Sequence, residues 1–195
     1  MKLPSLEEYI NTFQLDPVQI FSDKTLKNCK IEKNSLGLPR TRSGNFASIF
    51  KIQTNKEILA IRCFLKMSKS TQKRYSYIKS KLENLDNIAN QCSFTKFDFQ
   101  EEGIRVNNNF FPIIRMSWVD GMTLGEFIYT KYRDAKALSL LQKKIRELFF
   151  YLHSRDFAHG DIQPGNIIVS KYTNNLILVD YDGMFIPEID HLGSY

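Results

Sequence analysis

The chain has 195 residues, 43% hydrophobic and 25% charged, with a formal net charge of +6. That balance excludes an unfolded tail and leaves room for one core or two small lobes. No apolar run approaches the length of a membrane span, and Glu7 and Glu8 are acidic too early for a secretion signal, so no membrane contact is expected.

Ser5-Leu6-Glu7-Glu8 is a capping box, which predicts a short amphipathic helix to about Phe13, ended by Asp16-Pro17. Residues up to 37 read as an extension wrapped on the main body, with Gly37-Leu38-Pro39 as a turn. Phe46 to Gln53 and Ile58 to Leu65 alternate apolar and polar residues and predict two strands around a turn at Thr54-Asn55-Lys56. Tyr75, Ile78, Leu82, Leu85 and Ala89 recur at helical spacing and predict a helix from about Ser70 to Gln91. The basic residues Lys66, Lys69, Lys73, Arg74, Lys79 and Lys81 read as its solvated face rather than as a nucleic-acid surface. Phe94 to Gln100, Gly103 to Val106 and Phe110 to Val119 read as three strands. Gly121-Met122-Thr123-Leu124 is expected to open a short helix. A longer one follows, with Leu138, Leu141, Ile145, Leu148 and Leu152 on one stripe. The order predicts an α+β chain of two lobes with a cleft between them, joined near Trp118 to Gly121. Cys29, Cys63 and Cys92 are far apart and odd in number, as expected of reduced thiols in a cytoplasmic protein.

The richest chemistry lies near the C-terminal end. Ile167-Ile168-Val169 and Leu176-Ile177-Leu178-Val179 read as short buried strands, and the polar stretch Lys171 to Asn175 between them predicts a hairpin. Such a hairpin brings Asn166 and Asp180 to one end. Two hard oxygen donors there suit Mg²⁺, which leaves the rest of its shell to water and phosphate. Asp161 lies five positions before Asn166, in a loop stiffened by Pro164, from which it can take a proton from an attacking hydroxyl.

His159-Gly160-Asp161-Ile162-Gln163-Pro164-Gly165-Asn166 followed by Asp180-Tyr181-Asp182-Gly183 resembles the catalytic core of the protein kinase superfamily, H-R-D-L-x-x-x-N and D-F-G. The resemblance covers about Leu38 to the C-terminus and is to a bacterial Ser/Thr protein kinase truncated after the second motif. It implies a two-lobed fold, with a β-rich N-lobe over residues 38–117 carrying one inserted helix. The hinge and a partial, mainly helical C-lobe would span residues 118–195. The activity implied is transfer of a phosphoryl group from ATP with Mg²⁺ to a hydroxyl, with a nucleotide and a protein substrate as partners. Asp161 would be the base, and Asn166 and Asp180 the metal ligands, with Asp182 as a second ligand.

The resemblance extends to the nucleotide side. Ser43-Gly44-Asn45-Phe46-Ala47-Ser48-Ile49 stands where a kinase has its glycine-rich phosphate cover, with Gly44, Ala47 and Ile49 at the matching positions. Ala60-Ile61-Arg62 matches the end of V-A-I-K, so Ala60 would roof the adenine and Arg62 reach the phosphates, with Lys66 as a possible substitute. Arginine is larger and forked, so this exchange is not neutral. Glu83 is the acid placed to pair with residue 62; a solvated partner of Lys79 is an equal alternative. Met116 takes the gatekeeper position, Ser117 to Val119 the purine hydrogen bonds, and Asp120 the neighbourhood of the ribose. Gly160 replaces an arginine that commonly reads an activating phosphate, and Gln163 replaces a lysine at the γ-phosphate. His-Gly-Asp also occurs in small-molecule phosphotransferases. Two further readings therefore stand beside a protein kinase: a small-molecule kinase, and a nucleotide-binding scaffold without catalysis.

Overall fold

A computed structural model describes residues 2–86 and 94–192. The chain divides into two compact units, Met1–Gln72 with Lys96–Trp118, and Lys73–Thr95 with Val119–Tyr195.

The first unit begins with α1 (Leu6–Thr12) and α2 (Pro17–Ile20). The strands β1 (Lys30–Ile31), β2 (Thr41–Ser43), β3 (Ala47–Gln53) and β4 (Ile58–Phe64) follow. The helix α3 (Thr71–Asp86) starts in this unit and belongs mostly to the second. Its predicted members Ala89 and Gln91 lie outside the described residues, as does Cys92. β5 (Phe97–Val106) and β6 (Asn109–Ser117) complete the first unit.

All pairings in its six-stranded sheet are antiparallel, in the order β1-β3-β4-β6-β5, with β2 also on β3. The capping box at Ser5 forms as expected: its hydroxyl accepts from the Glu8 amide while the Glu8 carboxylate accepts from the Ser5 amide. Asp16-Pro17 starts a helix rather than only ending one, because the Asp16 carboxylate caps the Val18 amide and proline needs no amide bond at a first turn. The two strands expected at 94–106 are one strand, β5, with a register shift between Gln100 and Ile104. Gly103 sits in this irregularity, where a Cβ would overlap the Ile113 side chain.

The extension is part of this unit's core. Tyr9, Phe13, Ile20, Phe21 and Leu26 are buried with Phe50, Ile52, Leu59, Ile61, Cys63 and Ile113 from the sheet. Phe13 stacks on Phe50 with ring centroids 3.8 Å apart, and the Tyr9 hydroxyl donates to the Phe64 carbonyl at 3.1 Å. Arg115, on the same face as Ile61 and Ile113, donates to Asp23 at 3.0 Å.

The second unit contains β7 (Gly121–Thr123), α4 (Leu124–Lys131), α5 (Ala135–His153), β8 (Ile167–Ser170) and β9 (Leu176–Leu178). Gly121 to Thr123 is a strand, not the start of a helix. It pairs with β8 so closely that a Cβ on Gly121 would overlap the Val169 carbonyl oxygen. The helix begins one residue later, with Thr123 as cap and Glu126 closing the capping box. β7, β8 and β9 form a three-stranded antiparallel sheet. Among the described residues no helix is long and apolar enough to cross a membrane.

Candidate active site

The predicted hairpin forms, with Ile167 opposite Leu178 and Val169 opposite Leu176. Pairing runs one step further, because the Val179 amide donates to the Asn166 carbonyl at 3.0 Å. Asn166 and Asp180 therefore sit at one end of the hairpin. Asn166 belongs to a single 3₁₀ turn, Pro164–Asn166, started by the fixed φ of Pro164. Its amide nitrogen donates to the Asp161 carboxylate at 2.8 Å and to the Asp161 carbonyl at 3.1 Å. That commitment turns the Asn166 Oδ1 away from Asp161 and leaves it as the oxygen to present to a cation. Gln163 donates to the same carboxylate oxygen at 3.0 Å. Asp161 is thus exposed yet held by two side-chain amides.

Asp180 has φ +66°, in the left-handed region, which an aspartate tolerates better than a β-branched residue. Its Oδ1 is shielded from solvent. Asp180 with Asn166 gives two hard oxygen donors on adjoining strand ends, a set that suits a small divalent cation completing its shell from phosphate and water. Among the described residues no group of three His, Cys, Asp or Glu side chains forms a metal cluster.

Gly160 and Gly183 make the loop and the second motif touch. Gly160 has φ +78°, and a Cβ on it would overlap the Gly183 carbonyl oxygen. A Cβ on Gly183 would in turn lie 3.3 Å from that of Asp161. An arginine at position 160 would have to displace this backbone, so the glycine there is a packing requirement of this chain.

The aromatic of the second motif is anchored. Tyr181 is buried between Phe94 and His159, with centroids at 5.9 and 6.1 Å. Its hydroxyl accepts from the Thr95 amide at 2.6 Å and lies 3.0 Å from the Leu178 carbonyl, to which it donates. His159 is buried, and its Nε2 donates to the Val179 carbonyl at 3.2 Å. Burial pushes its imidazole below the usual histidine range, and the bond to Val179 opposes this only partly. It ties the loop before Asp161 to the end of the β9 strand.

The basic face of α3 is not simply solvated. Arg74 is buried, at 5% exposure, and donates to the carbonyls of Met184 at 2.7 Å and Asp182 at 3.2 Å. Tyr75 donates its hydroxyl to the Asp182 carboxylate. Lys81 bridges Asp156 at 2.6 Å and Glu188 at 3.3 Å, and the Asp156 bond raises its ammonium above the ordinary lysine range. Sequence reading missed these contacts. Arg74 carries a signal, since Arg74, Ile78 and Leu82 are spaced by four and share a helix face, but the surrounding lysines mask it. Glu83 is exposed.

In the first unit, Ile49, Ala60, Arg62, Ile114 and Met116 share the sheet face opposite the extension. The register sets Ile49 and Ile114 beside Arg62, and Met116 beside Ala60. Arg62 is 3% exposed, with its guanidinium 5.3 Å from the Phe64 ring centroid. Gly44 and Ala47 lie at the turn between β2 and β3, where the Gly44 amide donates to the Ala47 carbonyl. A Cβ on Gly44 would meet nothing within 4 Å, so the fold does not itself demand that glycine. The amides of Ser117 and Trp118 are committed to the carbonyls of Lys96 and Ile58, each at 3.0 Å. Val119 and Asp120 belong to the second unit, where Asp120 accepts from the Tyr172 hydroxyl at 3.0 Å.

In its fold and in these paired motifs the chain resembles the protein kinase-like superfamily. Residues 112–190 match the ABC1 atypical kinase-like domain. The chain is 27% identical over 147 residues to serine/threonine-protein kinase ULK3 of Rattus norvegicus, covering 73% of this chain and 30% of that protein. A probable serine/threonine-protein kinase, FPV212 of fowlpox virus, is 45% identical over 38 residues, 20% of this chain and 12% of that protein. Among solved structures, the Cydia pomonella granulovirus kinase PK-1 has the same fold. It aligns with a TM-score of 0.54 and 19% identity over 83% of this chain and 56% of that one. The chain thus spans under a third of the length of these curated relatives.

Proposed function

We propose that the chain is an ATP- and Mg²⁺-dependent phosphotransferase that transfers a phosphoryl group to a hydroxyl, most like a Ser/Thr protein kinase. The observation that carries this is the end of the β8–β9 hairpin, where Asn166 and Asp180 stand together and Asn166 holds Asp161. Asn166 Oδ1 and the Asp180 carboxylate would hold the magnesium ion, which would supply positive charge to offset that of the phosphates. Asp161, oriented by Asn166 and Gln163, would accept the proton of the attacking hydroxyl. With the Ser117 and Trp118 amides already used in the sheet, the purine edge would be met by the Ser117 carbonyl and the Val119 amide. In the first unit, Arg62 and the Gly44 turn would be the residues for the phosphates, with Ile49 beside Arg62 on the same sheet face. The setting we propose is cytoplasmic, in keeping with the buried free thiols Cys29 and Cys63. The partner would be a protein bearing the acceptor hydroxyl.

The test is transfer of labelled γ-phosphate from Mg-ATP to the chain itself and to a Ser/Thr peptide library. Asp161→Asn is expected to lower transfer by ~10²–10⁴-fold while nucleotide binding is retained. Unchanged turnover would overturn the assignment. A second reading, a nucleotide-binding scaffold, is favoured by the buried Arg62 against Phe64 where a kinase has a phosphate-pairing lysine. Magnesium-dependent binding with no transfer to any hydroxyl acceptor would select it. Transfer to small alcohols such as aminoglycosides but not to peptides would instead select a small-molecule kinase.

A further inference from the structure

We infer that Arg74 and Tyr75 are positioning residues that clamp the segment after Asp180 and thereby set the affinity of the site for the magnesium–nucleotide complex. The inference rests on the function proposed above and adds residues that neither motif contains.

Three observations carry it. First, the Arg74 guanidinium is almost wholly buried and donates to two backbone carbonyls, Asp182 and Met184, which flank Gly183. A buried cation is costly unless its donors are satisfied, so this geometry is strongly preferred over alternatives. Second, Gly183 between those carbonyls is the residue packed on Gly160 and next to Asp161. Fixing the carbonyls on both sides therefore fixes the spacing between Asp161 and the Asp180 strand end. Third, the Tyr75 hydroxyl engages the Asp182 carboxylate. That bond turns Asp182 toward α3, which leaves Asp180 as the aspartate of this motif to meet a cation. One helix turn thus does two things: it sets the backbone that aims Asp180, and it occupies the neighbouring carboxylate that would compete with it. Outer groups that orient metal ligands change metal affinity without touching the metal.

The experiment titrates Mg²⁺ into the full chain at saturating fluorescent ADP analogue and reads the half-saturating Mg²⁺ concentration. Nucleotide binding in EDTA is measured in parallel. Arg74→Met is expected to raise the half-saturating concentration ~10-fold or more and Tyr75→Phe ~3–10-fold, with metal-free nucleotide binding unchanged. Arg74→Lys, which restores a charge but not the fork, should recover only part of the loss. Near-UV circular dichroism reports whether each variant is folded. Should Arg74→Met not fold, Tyr75→Phe, which removes one oxygen, decides alone. Magnesium-dependent binding by the wild type that folded variants keep at the same half-saturation overturns the clamp and leaves the proposed function standing. No magnesium-dependent binding by the wild type overturns the proposed function, and the clamp with it.

Discussion

The N-terminal extension and the β8–β9 hairpin are held by different physics. The hairpin is fixed by short-range geometry: a proline-started turn, register from Ile167 to Val179, and amides of Asn166 and Gln163 on one carboxylate. The extension has little regular structure of its own beyond seven- and four-residue helices and the two-residue strand β1. It is fixed by what it buries, with Phe13 on Phe50 and Phe21 in the same cluster. A site that must hold oxygens at set spacings is built from hydrogen bonds. A cover that must keep water off a sheet needs only apolar volume.

Two substitutions strike directly at this contrast. Phe13→Ala should cost about 3–5 kcal/mol of unfolding free energy, the usual loss for a large aromatic removed from a packed core. It is read from the urea midpoint, and a loss under ~1 kcal/mol would mean that the extension merely lies on the sheet. Gly160→Ala is smaller in volume but forces a side chain into the left-handed region and against the Gly183 carbonyl. The expected cost is about 2–3 kcal/mol, with transfer lost even in the folded fraction because the Asp161 loop must move. An alanine variant of wild-type stability and turnover would show that the glycine contact is incidental.

The same contrast explains what was legible in the sequence. Asn166 and Asp180 were placed together correctly because a hairpin with a polar five-residue turn is a local statement. The helix cap at Ser5 and the stripe of α5 were legible for the same reason. Features that depend on distant partners were not. Gly121 to Thr123 reads as a helix start until β8 pairs with it. The irregularity in β5 is explained only by Ile113, on the neighbouring strand, pressing on Gly103. The extension's apolar residues show no clear period, since loops and two short helices present them rather than one face. Arg74 was hidden differently: a basic run has a ready reading as a solvated face, and only the carbonyls of Asp182 and Met184 contradict it.

Tyr181→Phe sharpens the hairpin side of the comparison. The hydroxyl serves the Thr95 amide and the Leu178 carbonyl in a buried setting, so its removal leaves a buried donor unmet. The expected loss is about 1–2 kcal/mol in urea unfolding, the size of one unsatisfied buried group. A neutral result would assign the anchoring of this segment to ring packing against Phe94 and His159 instead.

The smallest effect probes a charged tie of the extension and depends on pH. Burial works to raise the Asp23 carboxyl, but hydrogen bonds from Thr25 and Gln100 and the Arg115 charge outweigh it. The net value lies below the ordinary 3.8. A group whose native pKa is depressed contributes stability above its unfolded pKa and loses it as pH falls through the native value. At pH 7 the wild type should therefore exceed Asp23→Asn by about 1 kcal/mol, discounted for partial exposure. The gap should begin to close near pH 3.8 and vanish once the native carboxyl is protonated. Urea midpoints of both proteins at pH 7 and below pH 3 make the measurement. A gap that persists in acid would mean that Asp23 acts through its shape and hydrogen bonds rather than its charge.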